Sequence, residues 1–287
     1  MKLERHTSAE GFLARTQGTF EAEEAENNLI LGVALRVRDA PDRFKPPPYF
    51  VTVRKGGEVV SAAVMTPPYK VILWAAGTAP DPALEQIARD LRRGGRSVPG
   101  TIGPKEVVHR FAGIWKGLAG GEVEQKREER AYRLDRVSPL RLAPGRLRPA
   151  RGEDTPLATR WIAAFQAEAL GEAESEGTAE FALAKIRDGD LFLWQDGEPV
   201  SMAAKARPTR HGTTVILVYT PPALRGRGYA TACVASLSQT LLDSGRLFCT
   251  LFADLANPIS NHLYERIGYR PIGDFAELTF RTVDRAE

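Results

Sequence analysis

The feature that most constrains the fold is a faint internal repeat with a spacing of 140 residues. The stretch 50–63, FVTVRKGGEVVSAA, is similar to 191–204, LFLWQDGEPVSMAA: each has an apolar run, a polar turn with Gly-Glu, then Val-Ser and small residues. Each has the pattern of a β-hairpin. A spacing of this size is the length of a domain, far longer than a solenoid repeat. The chain is therefore expected to fold as two similar halves.

The segments that follow each hairpin also agree, with a buried strand, a helix, a second helix and a last strand. The predicted segments are 71–75, 82–93, 105–118 and 122–134 in the first half, and 215–219, 229–243, 258–267 and 270–282 in the second. Amphipathic helices are expected to open each half, over 8–37 in the first and over 155–169 and 178–187 in the second. This order predicts an α/β fold with a mixed sheet flanked by helices, repeated twice.

The joint between the halves is predicted at 138–145, SPLRLAPG, where two prolines and a glycine interrupt regular structure. The first strand of the second half is then expected over 147–150, and Asp154 is expected to cap the helix after it. We place the boundary near residue 140, which gives domains of 1–139 and 140–287. A chain of 287 residues suits two domains of ordinary size.

Composition excludes several classes of function. With 39 basic and 36 acidic residues the formal charge is +3, which requires no polyanionic partner, and no basic helix with interleaved aromatics suggests a nucleic-acid binder. The two cysteines, Cys233 and Cys249, lie in apolar stretches, which excludes a cysteine-pair metal site and suits a reducing compartment. No apolar run is long enough to span a bilayer and the N-terminus has no signal core, so a cytoplasmic protein without a membrane partner is expected.

The stretch 213–245 is the most informative for function. It begins with a β-branched strand ending at Tyr219, and it ends with a helix-period segment. Between them lies Arg225-Gly226-Arg227-Gly228. Glycines allow the backbone to approach a ligand closely, and the amide groups at the start of a helix attract an anion. A pyrophosphate is the expected occupant.

Two common pyrophosphate loops do not fit this stretch. A Walker loop needs G-x-x-x-x-G-K-[ST], and the chain has no such string. A Rossmann turn needs G-x-G-x-x-G, but Thr231 stands where the third glycine belongs.

The string 225–230, RGRGYA, instead fits Q/R-x-x-G-x-G/A, the acyl-CoA pyrophosphate loop of the GNAT superfamily of N-acyltransferases. A second string, 257–269, NPISNHLYERIGY, resembles the short helix of that family that ends in Y-x-x-x-G-[FY]. The second half, from 147 to 282, thus resembles a GNAT domain, because both motifs occur in the expected order. The resemblance implies an acetyltransferase that uses acetyl-CoA and no metal.

The resemblance also assigns roles to residues of this chain. The pantetheine arm would pair with the backbone of Leu217, Val218 and Tyr219, and a backbone N–H there would polarise the thioester carbonyl. Asn257 would touch the arm, and Tyr264 would stand near the sulfur as the general acid. The amides that would hold the pyrophosphate are those of Arg225, Gly226, Arg227, Gly228, Tyr229 and Ala230, with the Arg227 side chain the more solvent-facing of the two arginines.

The acceptor implied by the resemblance is a primary amine of a small molecule or peptide, and the alternative is a non-catalytic acyl-CoA sensor. The general base stays open: Asp254, Glu198 and water are candidates, and His262 is expected on the surface. The acidic stretch 168–180 would attract a cationic amine or would simply be a solvated loop. The sequence does not define the oligomeric state.

The first half lacks the phosphate loop. The turn after the strand 71–75 has no Q/R-x-x-G-x-G/A string, and Asp81 places a carboxylate at the start of the next helix, where a phosphate would otherwise lie. The helix 105–118 has no tyrosine. We therefore expect a GNAT-like first half that has lost cofactor binding.

Overall fold

The structure is a computed structural model that describes residues 1–77, 81–171 and 177–281. Two compact units are present, and each is assembled from separate stretches of the chain. The first contains Met1–Ala131, Ala253–Asn257 and the segment from Pro271 onward; the second contains Tyr132–Phe252 and Pro258–Arg270. The packed units therefore do not divide the chain at a single point. The joint near residue 140 concerns the repeat in the sequence, and it remains a prediction.

The first half of the chain alternates strands and helices. Its elements are β1 (Lys2–His6), α1 (Ala9–Ala22), α2 (Asn28–Asp39), β2 (Tyr49–Lys55), β3 (Glu58–Met65), β4 (Val71–Ala75), α3 (Asp81–Arg93), β5 (Gly100–Pro104), α4 (Lys105–Ala119) and β6 (Glu122–Leu134).

The second half repeats this order. Its elements are β7 (Arg146–Pro149), α5 (Thr155–Phe165), a π-helical turn (Gln166–Leu170), α6 (Thr178–Arg187), β8 (Leu191–Asp196), β9 (Glu198–Ala206), β10 (Gly212–Tyr219), α7 (Tyr229–Asp243), β11 (Phe248–Asp254), α8 (Pro258–Ile267) and β12 (Arg270–Arg281).

The sheets of the two units share one strand pattern. In the first unit the order begins β1-β2-β3-β4-β5, and in the second it is β7-β8-β9-β10-β11. Neighbouring strands are antiparallel within each run except for the last pair, β4 with β5 and β10 with β11, which is parallel. The predicted α/β duplication, with a mixed sheet and flanking helices in each copy, is therefore confirmed.

The C-terminal strand completes the sheet of the first unit. Residues Phe275 to Thr279 of β12 pair antiparallel with Gly100 to Pro104 of β5. Two of its side chains are anchored in the same unit, because Arg130 forms an ion pair with Asp274 at 2.8 Å and Lys70 forms one with Glu277 at 2.6 Å.

Apolar faces of helices and strands pack together in each unit. In the first unit α3 contributes Leu84, Ile87 and Leu91, all fully buried against β2, β3 and β4. In the second unit Ile162 of α5 and Ala182 of α6 pack on the strands β8 to β10. Within the described ranges, no helix combines the length and the apolar character needed to cross a membrane.

Three local expectations differ from the structure. The helical segment predicted over 8–37 is interrupted between α1 and α2, and the helix predicted over 155–169 ends as α5 at Phe165 before the π-helical turn. The side chain of Asp154 does not cap α5, because it is engaged by the Arg148 guanidinium at 2.7 Å and by the Arg151 N–H at 2.7 Å. The hydrogen bond from Arg148 holds the pKa of the Asp154 carboxyl below its usual value.

Candidate functional site

Strand β10 is kinked by a one-residue bulge close to its carboxyl end. Its register against β9 shifts between Ile216 and Tyr219. Within the bulge Leu217 has φ +54°, a left-handed conformation that a residue with a side chain seldom adopts. Leu217 is buried in the core of the second unit, and this packing offsets the backbone strain. The sequence pattern of β10 predicted the strand but contained no sign of the bulge.

The parallel pair β10–β11 opens after three residues. Gly212, Thr213 and Thr214 pair with Phe248, Cys249 and Thr250. The hydroxyls of Thr214 and Thr250 lie 2.8 Å apart. The register between the two strands does not continue beyond this point in the described chain. The backbone of β10 after the bulge therefore has hydrogen-bonding groups available on that side for an extended ligand, whereas the Tyr219 carbonyl is occupied on the β9 side by the Ser201 hydroxyl at 3.0 Å.

The glycine-rich loop leads from this open edge into α7. Gly226 and Gly228 both have positive φ, +76° and +81°. Gly228 occupies the N-cap position of α7, so no side chain is present there to accept from the first N–H groups of the helix. A Cβ on Gly226 would meet no atom within 4 Å, so the loop backbone is open to solvent there. The N–H groups of the first turn of α7 are left without a side-chain cap, which is the arrangement that binds phosphate.

The other loop residues divide into exposed and anchoring side chains. Arg225 and Arg227 are both exposed. Tyr229 is buried, and its hydroxyl donates to Asp196 at 2.7 Å, so its side chain fixes the start of α7 to the end of β8. Ala230 is half-buried in the first turn of α7.

Tyr264 lies on the buried face of α8 and is 7% exposed. Its ring packs against Tyr132 at 6.4 Å and Tyr269 at 6.0 Å between centroids. Burial raises the pKa of its phenol well above the ordinary value, so the group stays protonated. The hydroxyl has no hydrogen-bond partner among the described residues, whereas the neighbouring Tyr132 hydroxyl donates to Asn261 at 2.8 Å.

The remaining candidates lie at different places. Asn257 directly precedes α8 and groups with the first unit, and His262 is exposed, as predicted. Asp254 accepts a hydrogen bond from the Ala256 N–H at 2.7 Å, and Glu198 is exposed at the tip of the β8–β9 hairpin. Three glutamates of the acidic stretch, at 172, 174 and 176, lie outside the described residues. Among the described residues no cluster of histidine, cysteine or carboxylate side chains suits a metal ion.

Sequence reasoning missed one cluster at the end of β10. Glu168, on the π-helical turn, accepts hydrogen bonds from Arg225 at 2.5 Å and from the Tyr219 hydroxyl at 3.2 Å. Glu168 was identified only as part of an acidic stretch. Its partners are more than fifty positions away in the chain, so no local pattern indicates the contact.

The corresponding region of the first unit differs in its strand pairing and at the start of its helix. The pairing of β3 with β4 is regular from Ser61 to Val64, without a bulge. Strands β4 and β5 are in register over only two pairs, Val71 with Thr101 and Ile72 with Ile102, but they approach closely beyond this point. A Cβ on Gly103 would come within 2.6 Å of the Leu73 carbonyl oxygen. Asp81 begins α3, and its carboxylate is paired with Arg110 at 2.6 Å.

Comparisons with known proteins identify a family model and solved structures that this chain resembles. The family model described as FR47-like protein matches residues 194–278. No curated protein sequence matches the chain significantly. Solved structures match over nearly the whole chain. One is a Drosophila protein with 13% identity and a TM-score of 0.69, covering 97% of this chain and 98% of that one.

Two further structures have informative descriptions. A GCN5-related N-acetyltransferase from Sphaerobacter thermophilus has 15% identity and a TM-score of 0.63, with 99% of this chain and 97% of that one covered. A tandem GNAT protein from the clavulanic acid biosynthesis pathway has 13% identity and a TM-score of 0.56, with 99% and 100% covered. Identities this low establish a likeness of fold. The fold is that of the GNAT superfamily in tandem, and the resemblance seen in the sequence is confirmed at that level.

Proposed function

We propose that the second unit transfers an acetyl group from acetyl-CoA to a primary amine of a small molecule or peptide. The observation that carries this proposal is the junction of three features in one stretch of chain: the bulge at Leu217, the open edge of β10 and the uncapped start of α7 at Gly228. An extended arm that ends in a pyrophosphate matches the order of an open strand edge followed by a phosphate-binding helix end.

The donor would lie along β10 with its pyrophosphate on the loop. The pantetheine amides would pair with the backbone of Leu217, Val218 and Tyr219 where β11 does not engage it, except at the Tyr219 carbonyl, which already accepts from the Ser201 hydroxyl at 3.0 Å. The phosphate oxygens would accept from the loop amides of residues 225–230. A backbone N–H at the bulge would then donate to the thioester carbonyl and stabilise the oxyanion as it forms.

The reaction is a direct displacement at the acetyl carbonyl. A neutral amine attacks the carbon, a C–N bond forms, the C–S bond breaks, and the leaving thiolate takes a proton. Tyr264 would supply that proton, because its raised pKa keeps the phenol in the acid form at neutral pH. The proton lost by the amine goes to water.

Two measurements test the proposal in sequence. Titration calorimetry of the full chain with acetyl-CoA measures donor binding, and thiol release with acetyl-CoA over a panel of primary amines measures transfer. We expect micromolar or tighter binding and turnover with at least one amine. Absence of acetyl-CoA binding would refute the proposal altogether. Tight binding without turnover on any amine would favour a non-catalytic acyl-CoA sensor.

A further inference from the structure

The start of the phosphate loop is held by a carboxylate from another element of the second unit. Glu168 accepts from Nη2 of Arg225 at 2.5 Å, and its second oxygen accepts from the Tyr219 hydroxyl at 3.2 Å. Nε of Arg225 donates to the Thr220 carbonyl at 2.9 Å, and the guanidinium lies 5.7 Å from the centroid of the Tyr219 ring. The Arg225 side chain is thus held at the end of β10, with about half of its surface exposed.

This contact places two anions in competition for one guanidinium. A pyrophosphate on the loop amides would bring its oxygens to the residue that begins the loop, Arg225. Guanidinium pairs with phosphate at least as well as with carboxylate. A carboxylate and a phosphate held beside the same cation also repel each other.

The pair between Glu168 and Arg225 is suited to being exchanged. The two side chains are 43% and 48% exposed, and an ion pair in water at this exposure contributes little stability. A phosphate already fixed by loop amides can therefore displace the carboxylate. Glu168 also lies on a π-helical turn, and such turns are frequent where a helix serves a function.

We propose that Glu168 sets the affinity of the loop for the acyl donor by competing with the donor's pyrophosphate for Arg225. This rests on the proposed function, because it requires the loop to bind acetyl-CoA. When the donor binds, Nη2 of Arg225 transfers its hydrogen bond from Glu168 to a phosphate oxygen. Glu168 keeps the hydrogen bond from Tyr219, and the turn between α5 and α6 loses its link to the loop.

Calorimetry with acetyl-CoA on four variants tests the competition. Glu168→Gln removes the charge and keeps the size, so we expect a Kd about two- to fivefold lower than that of the unmodified protein, which is what an exposed ion pair is worth. Glu180→Gln is the matched control, since it removes the same charge from an exposed position in the first turn of α6. Its Kd should be unchanged. In an Arg225→Gln background, Glu168→Gln should have no effect.

Three results would overturn the inference: a Kd for Glu168→Gln equal to or higher than that of the unmodified protein, equal tightening by Glu180→Gln, or tightening that persists without Arg225. Thermal unfolding of each variant checks that it is folded. If the unmodified protein binds no acetyl-CoA, the proposed function fails and the inference fails with it. If the unmodified protein binds acetyl-CoA but Glu168→Gln does not lower the Kd, the inference fails and the proposed function stands.

Discussion

At the scale of the residue, Tyr264 combines a buried ring with a hydroxyl that no described residue uses as a partner. Burial favours the neutral form of a phenol, so the pKa of Tyr264 lies above its ordinary value of about 10. The acid form therefore persists through neutral and mildly alkaline pH. A proton donor that keeps its proton over this range suits a reaction whose leaving group is a thiolate.

Replacing Tyr264 by phenylalanine removes the hydroxyl that we propose as the proton donor and retains the packing of the ring. We expect kcat for acetyl transfer to fall about 100-fold, the lower end of what a positioned general acid contributes, with the Kd for acetyl-CoA unchanged. Steady-state rates and calorimetry measure both quantities. Tyr69→Phe, at a tyrosine that is 70% exposed in the first unit, is the control.

The pH profile gives a second check on Tyr264. Since the pKa of the phenol is raised, Tyr264 should not ionise between pH 8 and 10. The rate of the unmodified protein should therefore show no fall in this range that is absent from Tyr264→Phe. Such a loss, or a kcat for Tyr264→Phe within twofold of the unmodified value, would contradict the role of general acid.

Which residues could be predicted from the sequence depends on how local their signal is. The loop 225–230 and Tyr264 were identified because each lies in a short string whose spacing is itself the pattern. The positive φ of Leu217 arises from the register of β10 against β9, and the role of Glu168 arises from a contact across the fold. Neither property is present in the neighbouring residues of the sequence.

At the scale of elements, β1 and β5 were not predicted, for physical reasons. Strand β1, Lys2–His6, is an edge strand with one apolar residue, and it is held by backbone pairing with β2. Strand β5, Gly100–Pro104, contains two glycines and a proline, which sequence patterns assign to turns. Strands rich in β-branched residues, such as β10, carry their own signal and were predicted.

The two glycines Gly103 and Gly113 should respond oppositely to alanine. A Cβ on Gly103 would lie 2.6 Å from the Leu73 carbonyl oxygen, so Gly103→Ala should lower the free energy of unfolding by about 1–3 kcal/mol. Gly113 is exposed inside α4, and a Cβ added there would meet no atom within 4 Å. Gly113→Ala should therefore raise the free energy of unfolding by about 0.5–1 kcal/mol. Denaturant unfolding measures both. Equal effects of the two substitutions would show that β4 and β5 are not in close contact.

Glu277 couples β12 to its neighbours in a pH-dependent way. Burial raises the pKa of this carboxyl, but the Lys70 hydrogen bond and the charge of Arg127 outweigh burial, and the net pKa is lowered. A lowered folded-state pKa contributes stability above the unfolded value of about 4.3, and that stability is lost as the pH falls through the folded value.

Glu277→Gln should therefore destabilise the chain by about 1.5–3 kcal/mol at pH 7, with the deficit shrinking below about pH 4. Denaturant unfolding at several pH values measures this, with Glu106→Gln at an exposed position of α4 as the control. A deficit that is constant from pH 7 to pH 3 would exclude a role for the charge.

At the scale of the whole molecule, two copies of one fold differ in the features on which the proposed donor site depends. The second unit has a bulge, an open strand edge and an uncapped helix start. The first has regular pairing, strands in contact at Gly103 and a carboxylate at the start of α3. The duplication was predicted from its repeated pattern in the sequence, and so was the loss of the loop in the first half. The close approach of β4 and β5 at Gly103 is visible only in the structure.

The central claim is one working acyl-CoA site in a chain of two similar halves, and the stoichiometry of acetyl-CoA binding tests it most directly. Calorimetry should give one acetyl-CoA per chain. Gly228→Glu, which puts a carboxylate at the start of α7, should abolish binding, whereas Gly77→Glu, in the corresponding turn of the first half, should leave both stoichiometry and Kd unchanged. Both glycines have positive φ, so the backbone strain is matched, and thermal unfolding confirms that each variant is folded. Two acetyl-CoA molecules per chain, or undiminished binding in folded Gly228→Glu, would contradict the account.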